Sequence, residues 1–129
     1  MITKIVLLML LCHIIDDFVL QPVCLSKMKQ KSWWEEHMVD DKDKKMYKND
    51  YYAALTMHAL SWSIMIHLPI MFMTDIPSMV LCISVFVNYY IHKIVDDLKA
   101  NKKKINLCID QGIHLIQIAL TITILQFFI

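Results

Sequence analysis

The sequence contains very little of the residue types that form loops and turns. Of 129 residues one is glycine and three are proline, so we expect a largely helical chain. Arginine is absent, since all thirteen basic residues are lysine, and the formal net charge is only +1. Such a chain lacks the basic surplus of a nucleic-acid-binding protein. The four cysteines show no Cys-x-x-Cys spacing, which argues against a thiolate zinc site.

Apolar residues are what the sequence has in excess. They make up 57% of the chain, and the mean hydropathy of +0.48 is typical of membrane proteins. Four apolar segments each approach the roughly 20 residues that a helix needs to cross a bilayer. These are residues 5–25, 51–73, 77–95 and 105–129, with a charged connection over residues 26–50. We therefore predict an all-α fold: a single membrane domain over residues 1–129 that forms an integral membrane four-helix bundle.

The lysines predict how this bundle is oriented. Twelve of the thirteen lie in or around the first and third connections, which share one side of a four-span protein. The positive-inside rule places that side in the cytoplasm and both termini outside. We expect the protein to be integral to the cytoplasmic (inner) membrane, N-out and C-out, with membrane lipids as partners. Nucleic acid is not an expected partner, and homo-oligomerisation is left open.

Pairs of histidine and aspartate, four residues apart, interrupt three of the apolar segments. The pairs are His13/Asp17, His92/Asp96 and, in reverse order, Asp110/His114. Four-residue spacing places both side chains on one helix face, one turn apart. In the predicted topology the aspartates form one layer near the cytoplasm, with the histidines about 6 Å deeper and His58 at similar depth. Because ionisable side chains are costly in a bilayer, we predict one buried polar site.

Imidazole and carboxylate groups together suit Zn, Fe or Mn, so a divalent metal ion is the predicted cofactor. The predicted metal ligands are His13, Asp17, His58, His92, Asp96, Asp110 and His114. This set exceeds the needs of one ion, which leaves one-metal and two-metal sites open. The candidate catalytic residues are Asp17, Asp96 and Asp110, and the predicted substrate contacts are Gln21, Lys99 and Gln111. Asp16 is expected at a helix end, where it contacts solvent or lipid headgroups.

The same residues carry a family resemblance. The segment from His13 to Pro22 resembles the HxxxDFxLQ opening of a family of small bacterial and phage membrane proteins that is catalogued as a domain of unknown function. His58, the HxxxDxxK motif of residues 92–99 and the DQxxH motif of residues 110–114 follow in that family's order. The resemblance covers most of the chain. It implies an integral membrane protein with a shared polar site and names no reaction.

Two classes of function fit these observations. One is a metal-dependent intramembrane hydrolase that acts on a lipid or lipid-linked substrate. The alternative is a non-enzymatic membrane protein: an ion- or proton-binding or transport component, or a phage-encoded interaction protein that modifies the host membrane. Buried His–Asp pairs also occur as hydrogen bonds that hold helices together without any metal. Whether the protein is an enzyme therefore stays open on the sequence alone.

Overall fold

The chain folds into helices only. A computed structural model describes all residues 1–129, of which 81% are helical, with no β-strand. The predicted all-α fold is therefore confirmed.

The elements are α1 (Ile2–Ile14), a π-helical segment (Ile15–Leu20), α2 (Val23–Met28), α3 (Lys31–His37), α4 (Asp41–Met46), α5 (Asp50–Met73), α6 (Ser78–Ala100) and α7 (Leu107–Leu125). Three helices, α5, α6 and α7, are long and apolar enough to cross a membrane. The number of spans and their orientation stay predictions.

The first apolar segment differs from the single helix that we predicted over residues 5–25. The chain is helical without interruption from Ile2 to Leu20, but the last six of these residues are π-helical. At Gln21 the backbone becomes extended, and Pro22 precedes α2. Proline disfavours a helical conformation in the residue before it, so the helix ends there. The connection predicted over residues 26–50 is itself mostly helical, since it contains α3 and α4.

The two lysine-rich connections lie at the same end of the bundle. The backbone N–H of Lys31 donates to Oδ1 of Asn101 at 2.8 Å, and Nδ2 of Asn101 donates to the carbonyl of Lys29 at 3.1 Å. At the start of α7, Oδ1 of Asn106 accepts from the N–H of Ile109 at 2.9 Å and caps the helix. The two bonds of Asn101 place the C-terminal end of α6 beside the residues that follow α2.

Apolar side chains fill the other end of the bundle and also cover its outside. The core cluster at that end is Ile5, Met9, Trp62, Ile66, Ile70, Ile76, Ile118, Ile122 and Leu125. Large apolar side chains such as Leu60, Phe86 and Ile116 face outward and are exposed. Polar side chains within the long helices, such as Asn88, His92 and Gln117, are by contrast buried, which reverses the pattern of a helix on the surface of a water-soluble domain. An apolar outer surface of this extent fits a lipid environment.

Candidate functional site

Each predicted His/Asp pair forms a direct contact within its helix. The nearest nitrogen–oxygen distances are 3.6 Å for His13 and Asp17, 3.7 Å for His92 and Asp96, and 3.4 Å for His114 and Asp110. The pairs then meet across helices: Asp96 lies 3.6 Å from His114 and 3.4 Å from His58. The structure thus brings all seven predicted ligand residues into one connected and largely buried cluster.

Two groups within the cluster have the composition of a metal site. One consists of Asp17, His58 and His92, and the other of His92, Asp96 and His114; in each, the ligand atoms lie within 4.8 Å of one another. Two histidines with one carboxylate are a set that holds Zn or Fe(II). The second group is the more deeply buried, because its three residues are each 2% exposed or less.

Unpartnered atoms in the second group and beside it fit a bound cation. Neither ring nitrogen of His114 forms a hydrogen bond, although the residue is fully buried and Oδ1 of Asp110 lies 3.4 Å from its Nε2. Nδ1 of His92 and Oδ1 of Asp110 are likewise buried without a partner. A buried polar atom left unsatisfied costs about 1–3 kcal/mol. A metal ion ligated here would remove part of that cost, so the donor set fits a divalent metal.

His13 and Asp110 belong to neither group. Nδ1 of His13 accepts a hydrogen bond of 2.8 Å from Nε1 of Trp62, so that nitrogen is already engaged. Asp110 accepts from Nζ of Lys99 at 2.5 Å through Oδ2, while its Oδ1 faces His114. Both residues therefore lie against the candidate ligands, where they can orient them.

Trp62 is a part of the site that the sequence analysis missed. Its indole ring stacks on His92 with 4.1 Å between centroids, and its N–H fixes the ring of His13. An aromatic residue in an apolar helix looks like any other core residue, and only its position one turn after His58 marks it. Its fully buried ring closes the cluster toward the apolar core.

The expectation that Asp16 contacts solvent or lipid headgroups at a helix end is wrong. Asp16 is only 1% exposed; its Oδ1 accepts from the hydroxyl of Ser61 at 2.6 Å, and its Oδ2 lies 3.8 Å from Nδ1 of His58. A π-helix has more residues per turn than an α-helix, so the rotation about the helix axis from one residue to the next is smaller. Asp16 and Asp17 consequently both face the interior, and Asp16 is placed to orient His58.

Two lysines enter the cluster, and one of them was unexpected. Lys29, counted above only as a cytoplasmic lysine, is buried, and its Nζ donates to Oδ2 of Asp96 at 2.6 Å and to Gln21 at 3.1 Å. Lys99 pairs with Asp110. The carboxylates that meet here are four: Asp16, Asp17, Asp96 and Asp110. If the two lysines are charged and the histidines are neutral, two negative charges remain uncompensated. Uncompensated charge is costly in a low-dielectric interior, and one divalent cation balances it.

A cavity of about 450 Å³ opens beside the cluster at the lysine-rich end. Its lining residues are Asp17, Phe18, Gln21, Ser26, Lys29, His58, Asp96, Lys99, Leu107 and Gln111. The three predicted substrate contacts, Gln21, Lys99 and Gln111, are among them: Lys99 and Gln111 contact Asp110, and Gln21 contacts Lys29. Nε2 of Gln111, for example, lies 3.1 Å from Asp17 and 3.2 Å from Asp110. The cavity gives a small molecule access to the carboxylate side of the site.

A family model confirms the resemblance noted in the sequence. The model, described as a protein of unknown function (DUF3307), matches residues 5–128. The chain belongs to the DUF3307 family. The match spans every residue of the cluster, from His13 to His114, so the site lies within the DUF3307 domain. No curated protein and no solved structure matches the chain. The family description names no activity, and the function must be argued from the geometry of the DUF3307 site itself.

Proposed function

We propose that this DUF3307 protein is a four-span membrane protein that binds one divalent metal ion and hydrolyses a lipid or lipid-linked substrate. The ion is held by His92, Asp96 and His114. The observation that carries the proposal is His114, a fully buried imidazole with no hydrogen bond on either nitrogen, placed between two carboxylates. Zn, Fe(II) and Mn(II) are the candidate ions.

Two arguments favour one ion over two. If the lysines are charged and the histidines neutral, the carboxylates of the cluster carry two uncompensated negative charges; one divalent ion neutralises them, whereas a second ion would leave two positive charges in excess. The two candidate groups also share His92. An imidazole nitrogen has a single lone pair, so the two groups cannot both be occupied through the same atom. Asp17 and His58 then remain free to act beside the ion.

Hydrolysis is the chemistry that such a site supports. A bound divalent ion polarises a carbonyl or phosphoryl oxygen and provides a nucleophilic water near neutral pH. Asp17 lines the cavity, and its Oδ1 has no hydrogen-bond partner, so we assign it the role of general base. Exposed Phe18 and Leu107 at the cavity suit a substrate that enters from the lipid.

The topology follows from the helices. Three helices, α5, α6 and α7, are candidate spans, and we assign the continuous helical run from Ile2 to Leu20 as the fourth. The two lysine-rich connections meet at one end, which the positive-inside rule assigns to the cytoplasm. The cavity then opens at the cytoplasmic face of the membrane, where water and the headgroups of lipids are available.

Elemental analysis of the purified protein tests metal binding. We expect about one Zn, Fe or Mn per chain by inductively coupled plasma mass spectrometry of the detergent-solubilised protein. His114→Ala should lose the ion. His67→Ala is the matched control, because His67 is a buried histidine whose two nitrogens are already engaged, at 2.7 Å by the Ser63 carbonyl and at 2.8 Å by the Ser84 hydroxyl. An absence of metal after reloading, or equal losses in both variants, would refute the site.

Turnover is tested separately from metal binding. The metal-loaded protein is incubated with a bacterial lipid extract, and the products are followed by mass spectrometry. Asp17→Asn should retain the ion through His92, Asp96 and His114 while product formation falls at least about a hundredfold, as expected for loss of a general base. Equal turnover in Asp17→Asn and wild type would remove Asp17 from the mechanism.

One observation favours the non-enzymatic alternative. Lys29 with Asp96 and Lys99 with Asp110 already form ion pairs inside the cluster, so the site is partly neutralised without any metal. A cluster of this kind can join helices or carry protons. Metal-free wild-type protein that is fully folded and binds no added ion would favour this function over hydrolysis.

A further inference from the structure

We propose that Lys29 and Lys99 form a binding site for the phosphate group of a lipid. The inference rests on the proposed function, because it names the substrate class of the same site. The binding of the metal ion makes the site available: when Asp96 becomes a metal ligand, Lys29 loses its partner and turns to the phosphate. The ligand is thus a phosphomonoester or phosphodiester carried by an apolar tail.

The position of Lys29 is the first step. Only 4% of its side chain is exposed, and its ammonium group contacts just Asp96 and Gln21. A buried ammonium without a partner costs several kcal/mol. If Asp96 shares its charge with a divalent ion, it becomes a weaker partner, and the ion repels the ammonium group. A second anion beside Lys29 would give the buried ammonium group a new partner and offset its repulsion by the metal ion.

Lys99 supplies the second positive charge. It lines the same cavity as Lys29 and is partly exposed, with 31% of its side chain accessible, so it can reorient toward a ligand. Lysines act as point charges toward phosphate, and two of them from different segments can contact different oxygens of one phosphate group. Ser26 and Gln111, which also line the cavity, add a hydroxyl and an amide donor.

The apolar part of the lining indicates that the phosphate is attached to a lipid. Phe18 is 59% exposed and Leu107 is 55% exposed, and both border the cavity that contains the two lysines. A free phosphate ion makes no favourable contact with these apolar side chains, whereas an acyl chain packs against them. In the proposed topology the cavity also lies at the depth of the lipid headgroups.

Native mass spectrometry in a neutral detergent tests this binding with three probes. Dioctanoyl phosphatidic acid carries phosphate and tail, dioctanoylglycerol carries the tail alone, and inorganic phosphate carries the charge alone. Each is titrated with and without Zn(II). We expect phosphatidic acid to bind at least about tenfold more tightly than either other probe, and more tightly with Zn(II) than without. Equal binding of phosphatidic acid and dioctanoylglycerol would overturn the proposal, and equal binding of inorganic phosphate would exclude a lipid as the source of the phosphate.

Charge-removing variants locate the site. Lys29→Gln and Lys99→Gln should each weaken phosphatidic acid binding about tenfold, the effect of one charge-assisted hydrogen bond. Lys27→Gln and Lys102→Gln remove the same charge at exposed neighbouring positions and should bind normally. Because Lys99 is partly exposed, Lys99→Gln keeps the test valid if Lys29→Gln fails to fold. If the control variants lose as much affinity for phosphatidic acid as Lys29→Gln and Lys99→Gln do, the lipid is attracted by the overall positive charge. That result would refute Lys29 and Lys99 as its specific site.

Metal content measured on the same samples separates this inference from the proposed function. Wild-type protein that holds the ion but does not distinguish phosphatidic acid from dioctanoylglycerol leaves the metal site intact and refutes the phosphate site. Protein that takes up no ion but binds phosphatidic acid through the two lysines refutes both the metal site and the release of Lys29 by the ion, and supports only the contact of the two lysines with phosphate. Lysine variants that retain the ion and lose only the lipid support both.

Discussion

Lys29 and Asp96 are 67 residues apart in the sequence, and their side chains form a buried ion pair of 2.6 Å. The pair fastens the residues after α2 onto the C-terminal part of α6, beside the hydrogen bonds of Asn101. It also brings an ammonium group among the aspartates of the site. The same contact therefore holds the connection in place and sets the charge that a metal ion must balance.

Removal of Lys29 should destabilise the metal-free protein. Lys29→Ala leaves the Asp96 carboxylate buried without its partner, which costs about 3–5 kcal/mol. Lys27→Ala, at an exposed position two residues earlier, should change the free energy of unfolding by less than about 0.5 kcal/mol. Unfolding in mixed micelles with EDTA present measures both. A Lys29→Ala protein as stable as the control would show that the pair is not formed in the membrane protein.

A divalent ion should reduce that penalty. With saturating Zn(II) the Asp96 carboxylate has a cationic partner even when Lys29 is replaced, so the loss of stability in Lys29→Ala should shrink by half or more. The measurement is the same unfolding assay in EDTA and in Zn(II). A stability difference that is unchanged by Zn(II) would place the ion elsewhere than on Asp96.

The sequence predicted those parts of the site that depend on local helix geometry. Four-residue spacing is enough to bring His92 onto Asp96 and His114 onto Asp110, because an α-helix places such residues one turn apart whatever surrounds them. The fold class follows in the same way from the composition. The reverse order of the pair in α7 also agrees with an antiparallel neighbour of α6.

Other parts of the site depend on packing that the periodicity does not contain. Asp16 faces inward because the hydrogen-bond register changes to π-helical at Ile15, and no apolar spacing marks that change. Lys29 is buried because the residues after α2 fold onto the end of α6, whereas a lysine in a charged connection is normally solvated. Trp62 becomes part of the site through its contacts with His92 and His13, which only the packing of the helices creates.

Metal removal should lower the stability of wild-type protein. An ion that binds only the folded state stabilises it by about 2.7 kcal/mol at a free concentration of 100 times the dissociation constant. The thermal midpoint in detergent should therefore rise with added Zn(II) and fall with EDTA. His114→Ala should show no such dependence, while His67→Ala should keep it. If neither Zn(II) nor EDTA changes the thermal midpoint of the wild-type protein, the folded protein does not bind a metal ion at this site.

Four spans place both termini on the same face of the membrane, and the lysine-rich connections predict that this is the outer face. In a protein whose cysteines are all replaced, Thr3→Cys should react with a membrane-impermeant maleimide added to spheroplasts, whereas Lys45→Cys in α4 should react only after lysis. Alkaline phosphatase fused after Ile129 should be active. If the segment from Ile2 to Leu20 lies on the membrane instead of crossing it, Thr3→Cys will be protected like Lys45→Cys, and the protein has three spans.

Trp62 should report directly on the occupied site. Its ring lies 4.1 Å from that of His92, so a Co(II) ion bound to His92 should quench its fluorescence by short-range energy transfer. The Trp33→Phe/Trp34→Phe protein isolates this signal, since the chain has three tryptophans. Saturating Co(II) should remove most of the emission, and Zn(II) added first should protect it, because both ions compete for the same ligands.

The reciprocal protein distinguishes this site from a surface one. Trp62→Phe retains the other two tryptophans, and Trp33 stacks on the exposed His37 with 4.4 Å between centroids. Quenching of Trp33 in this variant would reveal adventitious Co(II) on a surface histidine. Binding at the buried site predicts that Co(II) quenches Trp62 in the Trp33→Phe/Trp34→Phe protein and leaves Trp33 and Trp34 unquenched in Trp62→Phe. The quenching of Trp62 should saturate at one ion per chain, and His114→Ala should abolish it. Emission from Trp62 that survives saturating Co(II) would mean that no ion reaches His92.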